Sequence, residues 1–211
     1  MAVLPVAREG VFLIVVPAAA SVAVFAAGSP WGGAGLGLAA LALALFFRDP
    51  RRQVLASPGQ VLSPADGRVV AVDKRTPQPL GTEALRISVF MSVFNVHINR
   101  IPFGGRVLDV RHIPGGFAMA HLDEASVANE RAEVLIEDED GRRYLMVQVA
   151  GLVARRIVCR LVEGDAVTAG SRFGLICLGS RVDLYLPAEA RPTVKVGDKV
   201  RAGLAVIAEM G

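Results

Sequence analysis

The sequence predicts an α+β protein that is mainly β and carries a hydrophobic helical hairpin at its N-terminus. Two observations support this prediction. No charged residue occurs at positions 10–47, whereas nearly every charge of the 211-residue chain follows that stretch. After position 50 the sequence changes to short β-type runs that are separated by turn residues. We therefore expect two parts, residues 1–50 and residues 51–211.

The apolar part contains two uncharged runs, residues 11–27 and residues 31–47, which a Gly-Ser-Pro turn separates. As a helix, each run is about 26 Å long, slightly less than the roughly 30 Å hydrocarbon core of a bilayer. Arg8 precedes the first run and Arg48 follows the second, so both ends are expected on the cytoplasmic side of the cell membrane. A cleaved signal peptide fits poorly, because the apolar zone is too long and its basic flank follows it. A shallow anchor that does not span is the alternative.

Six short runs in the second part have β-type composition and are bounded by turn residues. One segment here, residues 118–129, has a helical pattern, and His121 lies within it. The second part is therefore expected to be mainly β. Its strands are expected at residues 68–73, 85–91, 106–112, 132–137, 143–150 and 156–162.

An internal repeat marks the C-terminal quarter of the chain. Residues 162–170 (VEGDAVTAG) match residues 195–203 (KVGDKVRAG). Each copy contains a turn at Gly-Asp, a short strand and a second turn at Gly, where Gly supplies a positive φ. This pattern resembles the half-motif of barrel-sandwich domains such as biotinyl and lipoyl carriers, with residues 63–69 as another edge. Because no Lys lies between the copies, carrier function is not expected.

Charge and cysteine content argue against several functions. The net charge is +3, and the basic residues are interspersed with acids and lack an aromatic array, so nucleic acid is not an expected partner. The arginines just after the apolar stretch suit an anionic lipid surface. Cys159 and Cys177 are far apart and are expected as buried thiols. The three histidines lack a zinc-ligand spacing, so no metal is expected.

The dipeptide Gly179-Ser180 lies between the two copies of the repeat. Taken as a bare pattern, it is an ordinary turn between two strands. It can also cleave itself, because a Ser hydroxyl can attack the carbonyl of the preceding residue, and Gly leaves that carbonyl unshielded. Removal of the Ser α-proton then eliminates the ester, and loss of ammonia leaves a pyruvoyl group. Such a carbonyl can form a Schiff base with a substrate amine and act as an electron sink.

Several segments of the chain resemble the phosphatidylserine decarboxylases of the short, archaeal-type branch. The resemblance covers most of the chain. It implies that the protein converts phosphatidylserine to phosphatidylethanolamine and carbon dioxide in phospholipid biosynthesis, through a Schiff base with a pyruvoyl group made from Ser180. The matching segments are SPADG at 63–67, FMSVFNVHINRIP at 90–102, LDEAS at 122–126, NER at 129–131, VQVAGLVARRIV at 147–158, and 170–187 with its LGS sequence.

The resemblance implies that Ser180 is the nucleophile of self-cleavage. Gly179 then ends a β-chain of residues 1–179, and residues 180–211 form an α-chain. Asp66 and Ser180 match the Asp and Ser of the family's Asp-His-Ser processing triad. Arg100, however, stands where the triad His is expected.

Arg100 cannot act as a neutral base near pH 7, because the pKa of a guanidinium exceeds 12. His97, three residues earlier, matches the first His of the family's histidine motif. We therefore expect His97 to take the base role, alone or oriented by Asp66. Arg100 and His121 are candidate substrate-binding residues. An interior ion pair is the alternative for Arg100, and helix packing is the alternative for His121.

Two other functions remain open at this point. One is a pyruvoyl-dependent decarboxylase that acts on another phospholipid or amino-acid headgroup. The other is a membrane-anchored barrel-sandwich adaptor without chemistry, in which the Gly-Ser dipeptide is only a turn. The expected partners are phosphatidylserine in an anionic membrane and the two chains of the cleaved protein. The sequence leaves open whether the protein also forms homo-oligomers.

Overall fold

The computed structural model of the protein describes residues 6–116, 128–151, 157–177 and 179–211. The chain divides into two compact units, Met1–Arg51 and Arg52–Gly211. Most of the helix expected at residues 118–129 lies outside the described residues, and so does His121.

The first unit contains two α-helices. Helix α1 spans Arg8–Ala26 and helix α2 spans Pro30–Phe46, close to the two uncharged runs of the sequence. Pro30 is the first residue of α2, where its missing N–H would have no intrahelical partner in any case. Between the helices, Gly28 has a φ of 85°, which favours glycine. By length and composition α1 can cross a membrane, whereas α2 is shorter at 17 residues.

The two helices approach each other closely at a glycine. A Cβ atom on Gly33 would lie 2.1 Å from the ring of Phe25, and Ser21 Oγ donates a hydrogen bond to the Gly33 carbonyl at 2.6 Å. Large apolar side chains, including Phe12 and Trp31, are exposed on this unit. A surface of this kind is typical of contact with lipid or a partner. The expected hydrophobic helical hairpin is therefore present.

The described part of the second unit is built from β-strands. The strands are β1 Gln60–Leu62, β2 Gly67–Arg75, β3 Ala84–Met91, β4 Ile98–Arg100, β5 Gly105–Ile113, β6 Arg131–Glu137, β7 Arg143–Val149, β8 Ile157–Cys159, β9 Ala166–Val167, β10 Arg172–Ile176, β11 Ser180–Pro187, β12 Arg191–Pro192, β13 Lys199–Val200 and β14 Val206–Glu209. The six predicted strands correspond to β2, β3, β5, β6, β7 and β8, whereas most of the others are too short to be recognised from sequence.

Eight strands form one antiparallel sheet in the order β13-β2-β3-β11-β7-β6-β5-β9. The other strands form two three-stranded sheets, β1-β14-β12 and β4-β10-β8. Alternate residues of β11, namely Val182, Leu184 and Leu186, are fully buried in the main core. This alternation is expected of a strand, because residues two apart share a face. Strand β11 is therefore a central strand with its apolar face towards the core.

The internal repeat forms two equivalent hairpins at opposite edges of the large sheet. Strand β9 lies in the first copy and β13 in the second. Asp165 accepts a hydrogen bond from the Val162 N–H at 3.0 Å, and Asp198 accepts one from the Lys195 N–H at 2.9 Å. The glycines before these two aspartates have φ values of 91° and 99°. The two copies therefore share turn chemistry as well as sequence.

The duplication extends to the strands beside the hairpins. Strands β2 and β5 both begin Gly-Arg-Val and have a register shift just after that Val. Val69 exchanges two backbone hydrogen bonds with the second hairpin, at 2.9 and 2.8 Å, and Val107 exchanges two with the first, both at 2.9 Å. From either edge inwards, the order of strands is the same: a strand of the repeat hairpin, a strand that begins Gly-Arg-Val, and then two inner strands. This internal two-fold likeness leaves β11 and β7 at the centre.

Candidate active site

Ser180 is the first residue of β11 and lies between β3 and β7 in the large sheet. Its side chain is fully buried, and its hydroxyl has no hydrogen-bond partner among the described residues. Most buried polar groups in folded proteins are hydrogen-bonded, because leaving one without a partner costs about 1–3 kcal/mol. The Ser180 hydroxyl is therefore one of the exceptions among the described residues, as is that of Ser88.

Gly179 immediately precedes this serine and has a φ of 65°. This value lies in the left-handed region, which costs L-residues with a Cβ atom roughly 1–2 kcal/mol. Apart from its chain neighbours, no described residue has an atom within 4 Å of the position that a Cβ would occupy, so the demand for glycine comes from the backbone angle. The chain thus makes a glycine-dependent turn at the bond between Gly179 and Ser180.

His97 lies next to the segment that leads to this bond. It is buried and immediately precedes β4, in which Ile98 pairs with Leu175 of β10. The antiparallel register therefore brings His97 alongside Ile176, three residues before Gly179. A histidine at this place belongs to the surroundings of the Gly-Ser bond.

A buried amide pair lies beneath Ser180. Gln148 Nε2 donates a hydrogen bond to Asn99 Oδ1 at 2.8 Å, and Asn99 Nδ2 donates to the Met91 sulfur at 3.5 Å. Met91 pairs in register with Ser180 on one side of β11, and Gln148 pairs with Val182 on the other. Because cross-strand partners and residues two apart share a face, the Gln148 side chain lies on the same face of the sheet as Ser180.

This amide pair was not predicted from the sequence. Both residues lie in segments that carry the family resemblance, Asn99 in VHINRIP and Gln148 in VQVAG. The available signal was a polar residue at an inward position of an alternating strand, because Tyr144 and Met146 share the face of Gln148 and are fully buried. Pairing between Asn99 and Gln148 required the tertiary structure, since the two residues are far apart in the chain.

Asp66 lies in a buried ion pair. Its two carboxylate oxygens accept hydrogen bonds from Arg52 at 2.5 and 2.7 Å, and one of them also accepts from the Ala202 N–H at 2.7 Å. The side chains of Arg52 and Asp66 are 7% and 11% exposed. The described hydrogen bonds of Asp66 include neither His97 nor Ser180. This carboxylate therefore joins the first residue of the second unit to the turn that follows β13.

Arg100 is also buried, at the other end of β4 from His97. Its Nη1 atom donates a hydrogen bond to the Gly170 carbonyl at 2.9 Å, and its Cδ would lie 2.9 Å from a Cβ on Gly203. Residues two apart on an extended segment share a face, so His97 is expected on the side of Asn99 and Arg100 on the opposite side. The two positions of the family's histidine motif thus have different surroundings here.

A buried ion pair follows Ser180 on the other face of β11. Arg181 Nε lies 2.8 Å from Asp183 Oδ1, and both side chains are almost completely buried. Tyr185 continues this face, and burial raises the pKa of its hydroxyl to about 12. Asp183 also raises that pKa, whereas Arg86 and Arg181 lower it. Charged residues are therefore confined to one face of β11 and Ser180 to the apolar one.

Elsewhere among the described residues lie two thiols and a cleft. The described residues contain no group of three or more His, Cys, Asp or Glu side chains that could hold a metal ion. Cys159 and Cys177 are thiols and not a disulfide, and burial raises the pKa of Cys159. A cleft of about 720 Å³ lies at the β9 edge of the large sheet beside the acidic run at residues 137–140, and its lining includes neither His97 nor Ser180.

Comparison with known proteins gives a consistent match. A model of the phosphatidylserine decarboxylase family matches residues 40–208. A phosphatidylserine decarboxylase proenzyme of Cupriavidus metallidurans is 47% identical over 206 residues, which cover 97% of this chain and 95% of the relative. The proenzyme of Nitrosomonas eutropha is 48% identical, with 97% and 94% covered. That of Nitratidesulfovibrio vulgaris is 50% identical over 163 residues, with 77% and 75% covered.

The fold and the site together define a class of protein. It has apolar N-terminal helices, a mainly β second unit, and a buried serine that follows a left-handed glycine at the start of a central strand. Within that class, this chain belongs to the phosphatidylserine decarboxylase family, because the family model and relatives almost half identical to it cover most of its length. The resemblance predicted from the sequence motifs is confirmed.

Proposed function

We propose that this protein is a self-processing enzyme that decarboxylates phosphatidylserine with a pyruvoyl group made from its own Ser180. The observation that carries the proposal is the buried Ser180 hydroxyl, which lacks a described hydrogen-bond partner and follows a glycine at φ 65°. Relatives of nearly full length are named phosphatidylserine decarboxylase proenzymes, and a proenzyme must be processed before it acts. Ser180 is therefore the proposed source of the pyruvoyl group.

Self-cleavage requires chemistry only from the chain itself and water. The Ser180 hydroxyl oxygen attacks the Gly179 carbonyl carbon, the C–N bond breaks, and the acyl group moves from nitrogen to oxygen. A base then removes the Ser180 α-proton, and the Cβ–O bond breaks to release the Gly179 carboxylate. The dehydroalanine left at position 180 tautomerises to an imine, which water hydrolyses to the pyruvoyl group and ammonia. Atoms balance, and water enters only in the last step.

His97 is the proposed base for the α-proton. It is buried beside the segment that ends at Gly179, and its imidazole can hold or release a proton near neutral pH in a way that Arg100 cannot. The amide pair of Asn99 and Gln148 supports the wall beneath the bond and keeps water from the acyl ester. Exclusion of water matters here, because simple hydrolysis of that ester would regenerate a serine.

Once formed, the pyruvoyl group supplies a carbonyl that condenses with the substrate amine and accepts the electron pair left by carbon dioxide. His97 is then positioned to return a proton to the product carbon. Arg100 remains a candidate for the substrate carboxylate or phosphate, with its Nη1 atom already donating to Gly170. His121 remains a candidate from sequence alone.

The N-terminal helices suit a substrate that stays in a bilayer. Helix α1 is apolar and long enough to cross a membrane, and the hairpin exposes large apolar side chains. Arg8 and Arg48 flank the pair, which favours a cytoplasmic position for both ends and for the second unit. We place the enzyme at the cell membrane on this basis.

The second unit is proposed to be a barrel-sandwich fold without carrier function. The paired hairpins and the duplicated Gly-Arg-Val strands support this, since each half-motif repeats the same turn chemistry. A biotinyl or lipoyl carrier presents a lysine at a hairpin tip between the halves. Here that connection contains Gly179 and Ser180 and no lysine.

Substitution of Ser180 by alanine tests the proposal, because alanine has no oxygen to attack the preceding carbonyl. The Ser180→Ala chain should run as one 22.2 kDa band on a denaturing gel, whereas the native chain should yield a C-terminal fragment of residues 180–211. The native fragment should lack a free amino terminus and be lighter than the unmodified peptide by one ammonia. Ser88→Ala is a matched control, since that hydroxyl is also buried without a described partner but follows isoleucine.

Substrate choice needs a separate measurement. Release of labelled carbon dioxide from phosphatidylserine should exceed release from other amino-acid headgroup lipids, and Ser180→Ala should release none. A native chain that stays intact contradicts the enzyme assignment. A chain that is cut but prefers another headgroup contradicts only the substrate.

A further inference from the structure

A short turn follows β3 at the end of the sheet where Ser180 lies. Asn95 closes this turn, because its Oδ1 atom accepts hydrogen bonds from the Ser92 N–H and from Ser92 Oγ, both at 2.8 Å. The Asn95 N–H donates in return to the Ser92 carbonyl at 3.0 Å. Three hydrogen bonds between two residues fix a four-residue turn. The residues at its tip are therefore held in one arrangement.

The tip of this turn consists of two apolar residues that face solvent. Phe94 is 84% exposed and Val93 is 46% exposed. Single exposed apolar residues are common on protein surfaces and need no explanation. Two adjacent exposed apolar residues, one of them aromatic, are a stronger indication of a contact surface. The hydrogen bonds of the turn also hold these two residues in an exposed position. We call Val93 and Phe94 the apolar tip.

The apolar tip lies close to the bond that is proposed to be cut. Strand β3 ends at Met91, which pairs in register with Ser180. Phe94 follows Met91 by three residues, so at about 3.3 Å per residue the two lie within about 10 Å of each other. A surface that the tip enters would therefore come within reach of Ser180.

Basic residues flank the same end of the sheet. Arg68 of β2 pairs in register with Phe90 of β3 and with Lys199 of β13, and both basic residues are exposed. Arg68 is held in place by a hydrogen bond from its Nη1 atom to the Gly197 carbonyl at 2.8 Å. Apolar side chains beside fixed positive charges match the chemistry of an anionic lipid interface.

We propose that the apolar tip enters the bilayer interface next to Ser180 and forms a membrane contact within the second unit. Phe94 and Val93 insert among the lipid headgroups and upper acyl chains, while Arg68 and Lys199 face the anionic headgroups. The contact holds the end of the sheet that contains Ser180 close to the headgroups, so that the serine moiety of a lipid approaches the site while the acyl chains stay in the bilayer. The choice of phosphatidylserine as that lipid rests on the proposed function; the insertion does not.

Fluorescence quenching tests the insertion directly. Trp31 is the single tryptophan of the chain, so Trp31→Phe gives a silent background for Phe94→Trp. The full chain is reconstituted in vesicles of phosphatidylcholine and phosphatidylserine with brominated acyl chains, which quench a tryptophan that enters the bilayer. Val162→Trp in the same background is the matched control. Val162 is also well exposed, at 62%, but it lies in the hairpin at the β9 edge, four strands from β11 or about 19 Å away.

Quenching at position 94 with little at position 162 is the expected result. Equal quenching at both positions, or none at position 94, overturns the proposal, including the case in which the tip instead meets a protein partner. The same pair of variants is measured in the Ser180→Ala chain. Quenching at position 94 that persists there, with no decarboxylation, separates membrane insertion from the proposed function.

A kinetic comparison supplies a second readout. Phe94→Ser should lower turnover of phosphatidylserine in vesicles severalfold and leave turnover of a short-chain, monomerically dispersed phosphatidylserine unchanged. Val162→Ser should change neither rate. An equal loss with both substrates contradicts a docking role, because it would mean that Phe94 supports the site itself.

Discussion

Ser180 and Ser88 are two buried serines that differ in the backbone that precedes them. Both are fully buried, and neither hydroxyl has a hydrogen-bond partner among the described residues. Ser88 follows isoleucine within an unbroken strand, whereas Ser180 follows a glycine with a φ of 65° at the start of one. Burial without a described partner is therefore shared, and the backbone turn before Ser180 is what distinguishes it from Ser88.

His97 is the residue whose removal should slow processing most after Ser180 itself. A positioned general base contributes about 10²–10⁴-fold to a rate. We therefore expect the His97→Ala chain to be cleaved at least about 100 times more slowly than the native chain. The measurement is a time course of newly made chain on a denaturing gel. His112→Ala is the control, since His112 lies on the exposed part of β5. Cleavage of His97→Ala at the native rate, or equal slowing of the control, would remove His97 from the proposed role.

Asp66 has two candidate roles, which are to orient the base His97 and to anchor Arg52 in the structure. Loss of its carboxylate leaves Arg52 buried without its charge partner, so Asp66→Ala should lower the free energy of unfolding by about 3–5 kcal/mol in urea unfolding. The double variant Arg52→Met, Asp66→Leu removes both charges and should regain most of that loss.

Whether this double variant is still cleaved then distinguishes the two candidate roles of Asp66. A stable chain that remains uncut supports the prediction from sequence that Asp66 orients the base. A stable chain that is cut normally identifies Asp66 as a structural anchor for Arg52 and the turn at Ala202. Failure of the double variant to regain stability would contradict the ion-pair interpretation.

At the level of elements, β11 connects the proposed cleavage site to the core. Ser180–Pro187 pairs with eight residues of β3, and Arg181 to Tyr185 pair with five residues of β7. The proposed cleavage before Ser180 would break the chain at the end of this strand and would leave every one of these pairings in place. The strand should then remain a central part of the sheet in the cut protein.

We therefore expect the two fragments to remain associated after cleavage. Residues 1–179 and 180–211 should co-elute in size-exclusion chromatography without denaturant and separate only in urea or on a denaturing gel. Strand β14 adds to this, because it pairs with β1 across the same division. Separation of the fragments under native conditions would contradict the pairing of β11 described here.

At the scale of the whole molecule, the two buried tyrosines are expected to lower the free energy of unfolding at alkaline pH. Burial raises the pKa of Tyr185 to about 12 and also raises that of Tyr144. In the unfolded chain the ordinary value is about 10, so between pH 10 and pH 12 the unfolded state loses protons that the folded state keeps. The free energy of unfolding should fall over this window by up to about 1.4 kcal/mol per pH unit for each tyrosine.

Urea unfolding at pH 9, 10 and 11 measures this dependence. The native protein should show similar stability up to about pH 10, near the ordinary tyrosine pKa, and a clear decrease above it. Tyr185→Phe should reduce the slope, because phenylalanine has no proton to lose. An unchanged slope in that variant would contradict the burial of the Tyr185 hydroxyl.

Elements with a strong local pattern were predictable from the sequence. The two apolar helices follow from uncharged apolar runs, and the six predicted strands follow from β-type runs between turn residues. The turn chemistry of the repeat around Asp165 and Asp198 was predictable in the same way. Two-residue strands such as β9 and β13 have no such pattern, because their extended backbone depends on a neighbour. The helix expected at 118–129 lies for the most part outside the described residues.

The sequence alone determined the family and the hydrophobic hairpin, and it predicted cleavage at the Gly179-Ser180 bond, because each depends on residues adjacent in the chain. Only the tertiary structure decided what surrounds that bond. It brought Gln148 to Asn99 beneath Ser180, paired Asp66 with Arg52, and set Phe94 near Ser180 through the register of Met91. The physical reason is that register and long-range contacts are chosen by the whole sheet as it buries its apolar face, and no local run of residues encodes them.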